Sequence, residues 1–152
     1  MLFRSSRNAD SFWGGEGDDL ILGAGGDDRL NGQAGNDTVR GQAGNDSLSG
    51  GLGDDRLDAG ADANSLIEEA DRDLTLSSDP TTRAALFTGL GNDTLVGRFT
   101  SAVLTGGESS NRLDAGNFNG TVKLIGLGGA DLLIGTVLGD VLDGGVGNDT
   151  LS

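Results

Sequence analysis

The chain of 152 residues holds no cysteine and no histidine, one proline, one tryptophan and five phenylalanines, and ten lysines and arginines against 24 aspartates and glutamates. Each shortage removes a class of protein. Without cysteine there are no disulfides and no thiolate metal sites; without histidine the commonest transition-metal ligand and the commonest general base are missing. A formal net charge of -14 repels nucleic acid and anionic membrane surfaces and asks for cations as partners. No stretch approaches the roughly 18 consecutive apolar residues of a membrane span, and the opening MLFRSSRNAD has two arginines and no apolar core of the signal-peptide kind. With 35% hydrophobic residues, the chain is short of material for a conventional core.

What is abundant is glycine, 29 residues of it, set down with a period of nine. From Gly14 to Asp58 the chain reads GGEGDDLIL, GAGGDDRLN, GQAGNDTVR, GQAGNDSLS and GGLGDDRLD, with Asp19, Asp28, Asp37, Asp46 and Asp55 at the sixth place and a branched aliphatic residue at the eighth. A period of this length marks a stack of small units rather than one unique core. The register extends back through SSRNADSFW, with Asp10 and Phe12, and forward through AGADANSLI, with Asn64 and Leu66, so a first block spans 5–67. Residues 68–87, EEADRDLTLSSDPTTRAALF, break the pattern and read as an irregular coil or insertion loop with a solvated acidic cluster at Glu68, Glu69, Asp71 and Asp73. The register returns at TGLGNDTLV with Asp93, decays through 88–123 into units that read as mostly metal-free, and slips by two. A second repeat block, 124–152, then carries Asp131, Asp140 and Asp149 and is truncated at its end. Across all fourteen units the eighth place is apolar.

Each unit divides into a Gly, Asn and Asp-rich half that tolerates positive φ and turns, and a three-residue half that alternates as a short strand. Turn, strand, turn, strand predicts an all-β parallel β-solenoid, a β-roll of about 18 residues per coil, with alternate units on opposite sheets and all strands parallel. A helix is excluded, because the i+3 and i+4 positions are not apolar and each glycine costs about 1 kcal/mol there.

Units two apart then stack about 4.8 Å apart. The spacing pairs Asp10 with Asp28, Asp28 with Asp46, Asp19 with Asp37, Asp37 with Asp55 and Asp131 with Asp149, with weaker pairs Asp46–Asn64 and Asp93–Asn111; Asp140 lacks an in-register partner. A cation halfway between layers lies about 2.4 Å from oxygens above and below, inside the range for Ca2+ and outside that for magnesium. Carbonyls of the turn glycines Gly14, Gly17, Gly23, Gly26, Gly32, Gly35, Gly41, Gly44, Gly50 and Gly53 are the candidates to fill its oxygen shell, for about four to six ions in all. Without calcium the stacked carboxylates repel and the acidic block is expected to be largely disordered, so that free calcium acts as a folding switch.

Other readings of the same residues are weaker. A flexible linker does not keep strict register, and no EF-hand spacing is present. A phosphate cradle at Gly23, Gly25 and Gly26 is opposed by Asp27 and Asp28, and neither H-E-x-x-H nor G-x-S-x-G occurs.

The units from Gly14 to Asp58, with Thr88 to Val96 and Gly144 to Ser152, closely resemble the RTX, or haemolysin-type calcium-binding, nonapeptide family, whose G-G-x-G-x-D-x-U-x pattern is a known example of a calcium-binding repeat. The resemblance implies a right-handed β-roll with calcium in its turns. It also implies an extracellular bacterial protein, secreted or on the cell surface, exported unfolded by a type I secretion system. Ending at Ser152 on a complete repeat, the chain reads as a fragment whose parent toxin, enzyme or adhesin domain lies elsewhere. Three functions follow in order: a calcium-dependent folding and secretion module with no catalysis of its own; a surface adhesin or matrix spacer; and a polysaccharide-acting β-helix enzyme, which needs an acidic cleft near Glu68 to Asp73.

Overall fold

The computed structural model describes residues 1–4, 6–78 and 85–152. Short strands follow the nine-residue period from the start: β1 (Leu2–Arg4), β2 (Ser11–Glu16), β3 (Leu20–Leu22), β4 (Arg29–Ala34), β5 (Thr38–Arg40), β6 (Ser47–Leu52), β7 (Arg56–Asp58) and β8 (Asn64–Glu69). They alternate between two sheets, and every neighbour within a sheet is parallel with partners 18 residues apart, as Ile21 with Val39 and Leu30 with Leu48. The chain is a parallel β-solenoid of about eight turns, with about 18 residues per coil and no helix among the described residues.

Between the sheets runs the apolar column that the eighth places foretell: Ile21, Leu30, Val39, Leu48, Leu57, Leu66, Leu95, Leu104, Leu113, Val122 and Leu133 are buried. Alternation inside each strand explains why a core this thin suffices. In the glycine-regular coils one large side chain per three-residue strand points inward, flanked by residues on the outer face, and the later strands bury two, as Leu74 with Leu76 and Val122 with Leu124.

Two expectations need correction, both in the middle of the chain. The stretch 68–87 was expected to be an irregular coil or insertion loop, and it is not irregular: its described part holds the end of β8, strand β9 (Leu74–Ser78) and most of β10 (Ala85–Thr88); Pro80 lies outside the described residues. The strands were also expected to be parallel throughout. Instead β10 is antiparallel both to β9 and to β11 (Asn92–Val96), and β11 in turn lies parallel to β7. The chain leaves the coil after β8, runs out along β9, returns along β10 and re-enters the stack with β11.

Beyond this excursion the coil resumes with β12 (Phe99–Thr105), β13 (Arg112–Asn117), β14 (Thr121–Ile125), β15 (Leu132–Ile134), β16 (Val141–Asp143) and β17 (Thr150–Leu151). One sheet runs β1-β3-β5-β7-β11-β10-β9-β13-β15-β17 and the other β16-β14-β12-β8-β6-β4-β2. The first sheet therefore interposes two strands, β10 and β9, where β12 and β14 touch directly in the second. Register shifts accompany the change: Ala102, not Leu104, pairs with Leu66, and Leu104 pairs with Glu68.

The excursion splits one repeat. Leu90 accepts the amide of Gly53, as Leu52 accepts that of Gly35, so Leu90 holds a third place. Thr88 and Gly89 do not hold the first and second places of that unit, because Thr88 pairs with Thr75 in the β9–β10 hairpin. Those places fall to Glu68 and Glu69, which directly follow Ile67, the ninth place of the preceding unit. Glu68, Glu69 and then Leu90 to Val96 form one nonapeptide, with residues 70–89 inserted between its second and third places.

Candidate metal centre

The sixth-place residues arrive at the same corner of each half-coil because the turn before each strand has a fixed length. Their stacking is drawn by hydrogen bonds. The amide of Asp10 donates to Oδ1 of Asp28 at 2.8 Å, that of Asp28 to Asp46 at 2.9 Å, and that of Asp46 to Oδ1 of Asn64 at 2.7 Å. On the opposite corner Asp19 donates to Asp37 and Asp37 to Asp55, each at 2.7 Å. In the last block Asp131 donates to Asp149 at 3.0 Å.

The pairing of Asp93 differs from the spacing argument. Asp55 donates to Oδ1 of Asp93 at 3.0 Å across 38 residues, and Asn111 donates to Asp131 at 2.8 Å across 20. Strands β10 and β9 stand between β11 and β13, so Asp93 and Asn111 never meet. Asp140, expected to stand alone, accepts the amide of Val122 with one oxygen and the Thr136 amide, at 2.6 Å, with the other.

Each stacked carboxylate thus spends one oxygen on the neighbouring coil. The second oxygen of Asp19, Asp28, Asp37, Asp46, Asp55, Asp93 and Asp131 is buried with no hydrogen-bond partner. In every one of these but Asp93 it faces the first glycine of its own unit. A methyl group on Gly14 would stand 2.7 Å from Asp19 Oδ2 and 2.5 Å from the Gly32 carbonyl, and one on Gly23 would stand 2.5 Å from Asp28 Oδ2 and 2.7 Å from the Gly41 carbonyl. Gly32, Gly41 and Gly50 have the same contact with Asp37, Asp46 and Asp55. A carboxylate oxygen and a backbone carbonyl oxygen therefore converge with no donor between them, an arrangement that costs free energy unless a cation joins them. The donors are all hard oxygens, which suits calcium.

Among the described residues, no three Asp, Glu, His or Cys side chains form a metal cage by themselves. Backbone carbonyls are needed to complete a shell. The fourth-place glycines Gly17, Gly26, Gly35, Gly44 and Gly53 all have φ between +92° and +132° and form the bend that brings the carbonyls round.

Three sites depart from this pattern. Asn64 Nδ2 donates to the carbonyls of Asp62 and Arg98, at 3.0 and 3.1 Å, so the amide nitrogen satisfies acceptors that a second carboxylate oxygen would confront. Asp10 accepts from the Ser6 hydroxyl at 3.1 Å near the surface. Asp149 lies at the last coil, with Oδ2 against Gly144.

Electrostatics follow the burial. Loss of water raises the carboxyls of Asp28, Asp37 and Asp46 above their ordinary value, with the next carboxylate in the stack adding to the rise and the amide hydrogen bond opposing it. The same causes push Asp55 to about 6 and Asp93 to about 7.

A second ladder was missed in the sequence. Fifth-place side chains accept amides in the reverse direction: Asp18 from Asn36, Asn36 from Asp54 and Asp54 from Asn92, at 2.8 to 2.9 Å, with Asp27 and Asn45 bonding alike on the other corner. The signal was present, since each of the five regular units has Asp or Asn at its fifth place.

The architecture defines a parallel β-solenoid whose turns carry stacked, half-satisfied carboxylates. The RTX calcium-binding nonapeptide repeat matches the chain in four copies, at residues 6–39, 31–66, 87–122 and 125–152, and the chain belongs to that family. Its repeats bind calcium. No curated protein is significantly similar to the chain.

Proposed function

We propose that this chain is a calcium-dependent folding module of a secreted bacterial protein, kept unfolded where calcium is scarce and ordered outside the cell. The row of buried, unpartnered Oδ2 atoms carries the reading. Those oxygens oppose the folded state until cations arrive, and binding that occurs only in the folded state stabilises it by mass action, about 2.7 kcal/mol per site at a hundredfold excess over the dissociation constant. The sixth-place aspartates supply the charged ligands, and the first-place and fourth-place glycine carbonyls complete the shell. Export by a type I system and attachment to a toxin, enzyme or adhesin domain belong to the same reading. The absence of cysteine is consistent with it.

A β-roll of RTX repeats is a structural calcium-binding domain and is not catalytic by itself. The polysaccharide-acting alternative needs paired carboxylates in a cleft. Among the described residues, the cleft of about 1140 Å³ between Ser77, Arg98 and Phe118 is lined by no acidic residue, and in the smaller one, about 340 Å³ and lined by Glu68 and Glu69, Glu68 is 2% exposed and bonded to Gly50 and Ser49. No helix among the described residues is long and apolar enough to cross a membrane.

Circular dichroism of the purified chain tests the proposal. Mostly coil in chelator and a gain of β signal with millimolar calcium are expected; an identical spectrum in both conditions would sink it.

A further inference from the structure

Glu68 is a carboxylate in the core of the solenoid. It is 2% exposed, and its Oε1 accepts the Gly50 amide at 2.6 Å while Oε2 accepts the Ser49 hydroxyl at 3.1 Å. In the regular coils the first-place amide bonds a backbone carbonyl one layer on, as Gly23 does with Arg40 and Gly41 with Asp58. At Gly50 the side chain of Glu68 replaces that carbonyl, and the ladder between β6 and β8 stops after Leu48 and Leu66.

The placement follows from the split repeat. Glu68 holds the first place of the unit whose sixth place is Asp93. Where a unit has both a first-place glycine and a sixth-place aspartate, as at Gly14, Gly23, Gly32, Gly41, Gly50 and Gly126, the first place faces the Oδ2 of the sixth and the glycine leaves that space open. Here it holds a second carboxylate. Asp93 is fully buried and its Oδ2 has no partner, while Asp55 Oδ2, also unpartnered, lies against Gly50 from the coil before. Asp55 Oδ2 and the Glu68 carboxylate thus meet Gly50 together, and among the described residues no basic side chain forms an ion pair with Glu68, Asp93 or Asp55.

We infer that the split repeat is a calcium site of a different kind from the others, in which Glu68, in the place of a glycine, adds a side-chain ligand facing Asp93. The inference rests on the calcium-binding reading above. Each added carboxylate strengthens attraction for a divalent cation, because ligand charge is a main determinant of calcium affinity.

Isothermal titration calorimetry of the full chain with calcium, compared with Glu68→Gln, separates the possibilities. Glutamine keeps the size and the acceptor for Gly50 but removes the charge. The expected result is the loss of about one bound ion, or a weakening of the tightest class of sites by at least about tenfold, with the remaining sites and the calcium-bound circular dichroism unchanged. If the glutamine variant fails to fold, Glu68→Gly, which restores the repeat residue, must show the same loss. Unchanged stoichiometry and affinities in the folded variant would overturn the inference alone and leave Glu68 a protonated hydrogen-bonding plug. A wild-type chain that binds no calcium would overturn the functional reading as well.

Discussion

A sixth-place carboxylate has one oxygen holding the stack together and one oxygen holding it apart. Asn64 shows what happens when the second is exchanged for an NH2: the nitrogen donates to two carbonyls and the conflict disappears. Asn64→Asp should therefore restore the conflict, lowering stability by about 1 to 3 kcal/mol in chelator with enough osmolyte to fold the calcium-free chain, and adding one bound ion in a calcium titration. Gain of an ion with no loss of calcium-free stability would contradict this account. Titration supplies a second prediction at this scale. Asp55 near 6, Asp93 near 7 and Glu68 near 8 all lie above their ordinary values of 3.8 and 4.5. A raised folded-state value means that the folded chain binds the proton more tightly than the unfolded one. The contribution is thus fully present below about pH 4 and lost as pH rises through about 6 to 8. In chelator the chain should therefore show more β signal at pH 5 than at pH 8, with saturating calcium abolishing or reversing the order; a calcium-free circular dichroism spectrum independent of pH would refute the assignment.

At the level of the turn and its strand, glycine serves two separate ends that one substitution each can tell apart. Gly17 has φ +92° and open space where a methyl would go, whereas a methyl on Gly32 would press on Asp37 Oδ2 and stand 2.7 Å from the Gly50 carbonyl. Gly17→Ala should cost roughly 1 to 2 kcal/mol of left-handed strain, equally at saturating and at subsaturating calcium. Gly32→Ala should in addition erase part of the calcium-dependent gain, read from thermal unfolding in both conditions. Much of this element was legible in the sequence. Gly, Asp and an aliphatic residue recurring in phase dictate turn, stacked carboxylate and inward side chain, and the first seven units leave no other register. The split unit was not legible, because Thr88 and Gly89 imitate the start of a repeat while the true start, Glu68 and Glu69, lies beyond an insertion and lacks glycine. Only backbone pairing, Thr88 with Thr75 and Gly53 with Leu90, reveals which residues share a coil. The fifth-place ladder was visible as Asp and Asn, but its direction depends on the turn's curvature, which composition does not state.

Over the whole molecule, the inserted hairpin divides the acidic corner that precedes the ten-stranded sheet into two runs, Asp19 to Asp93 and Asn111 to Asp149. Excising residues 70–89 would convert the 38-residue step from Asp55 to Asp93 into the 18-residue step of the other coils. It would also leave Asp93 and Asn111 a coil apart with nothing between them. The shortened chain should fold in calcium with its β signal retained and fewer distinct phases in a calcium titration, since nearest-neighbour coupling would run unbroken. Failure to fold in calcium would show that β9 and β10 are required for the second block to dock.

The two side-chain ladders also have a mechanical meaning. Asp46 reaches back to the amide of Asp28 in the coil before it, while Asp27 receives the amide of Asn45 in the coil after it, so in the regular units a gap between neighbouring coils is fastened at its acidic corner by two bonds of opposite sense. Sliding one coil over the next stretches one of the pair in either direction. Under a pull along its axis the solenoid would yield by detaching coils one at a time, in steps set by the repeat, rather than by shearing as a sheet.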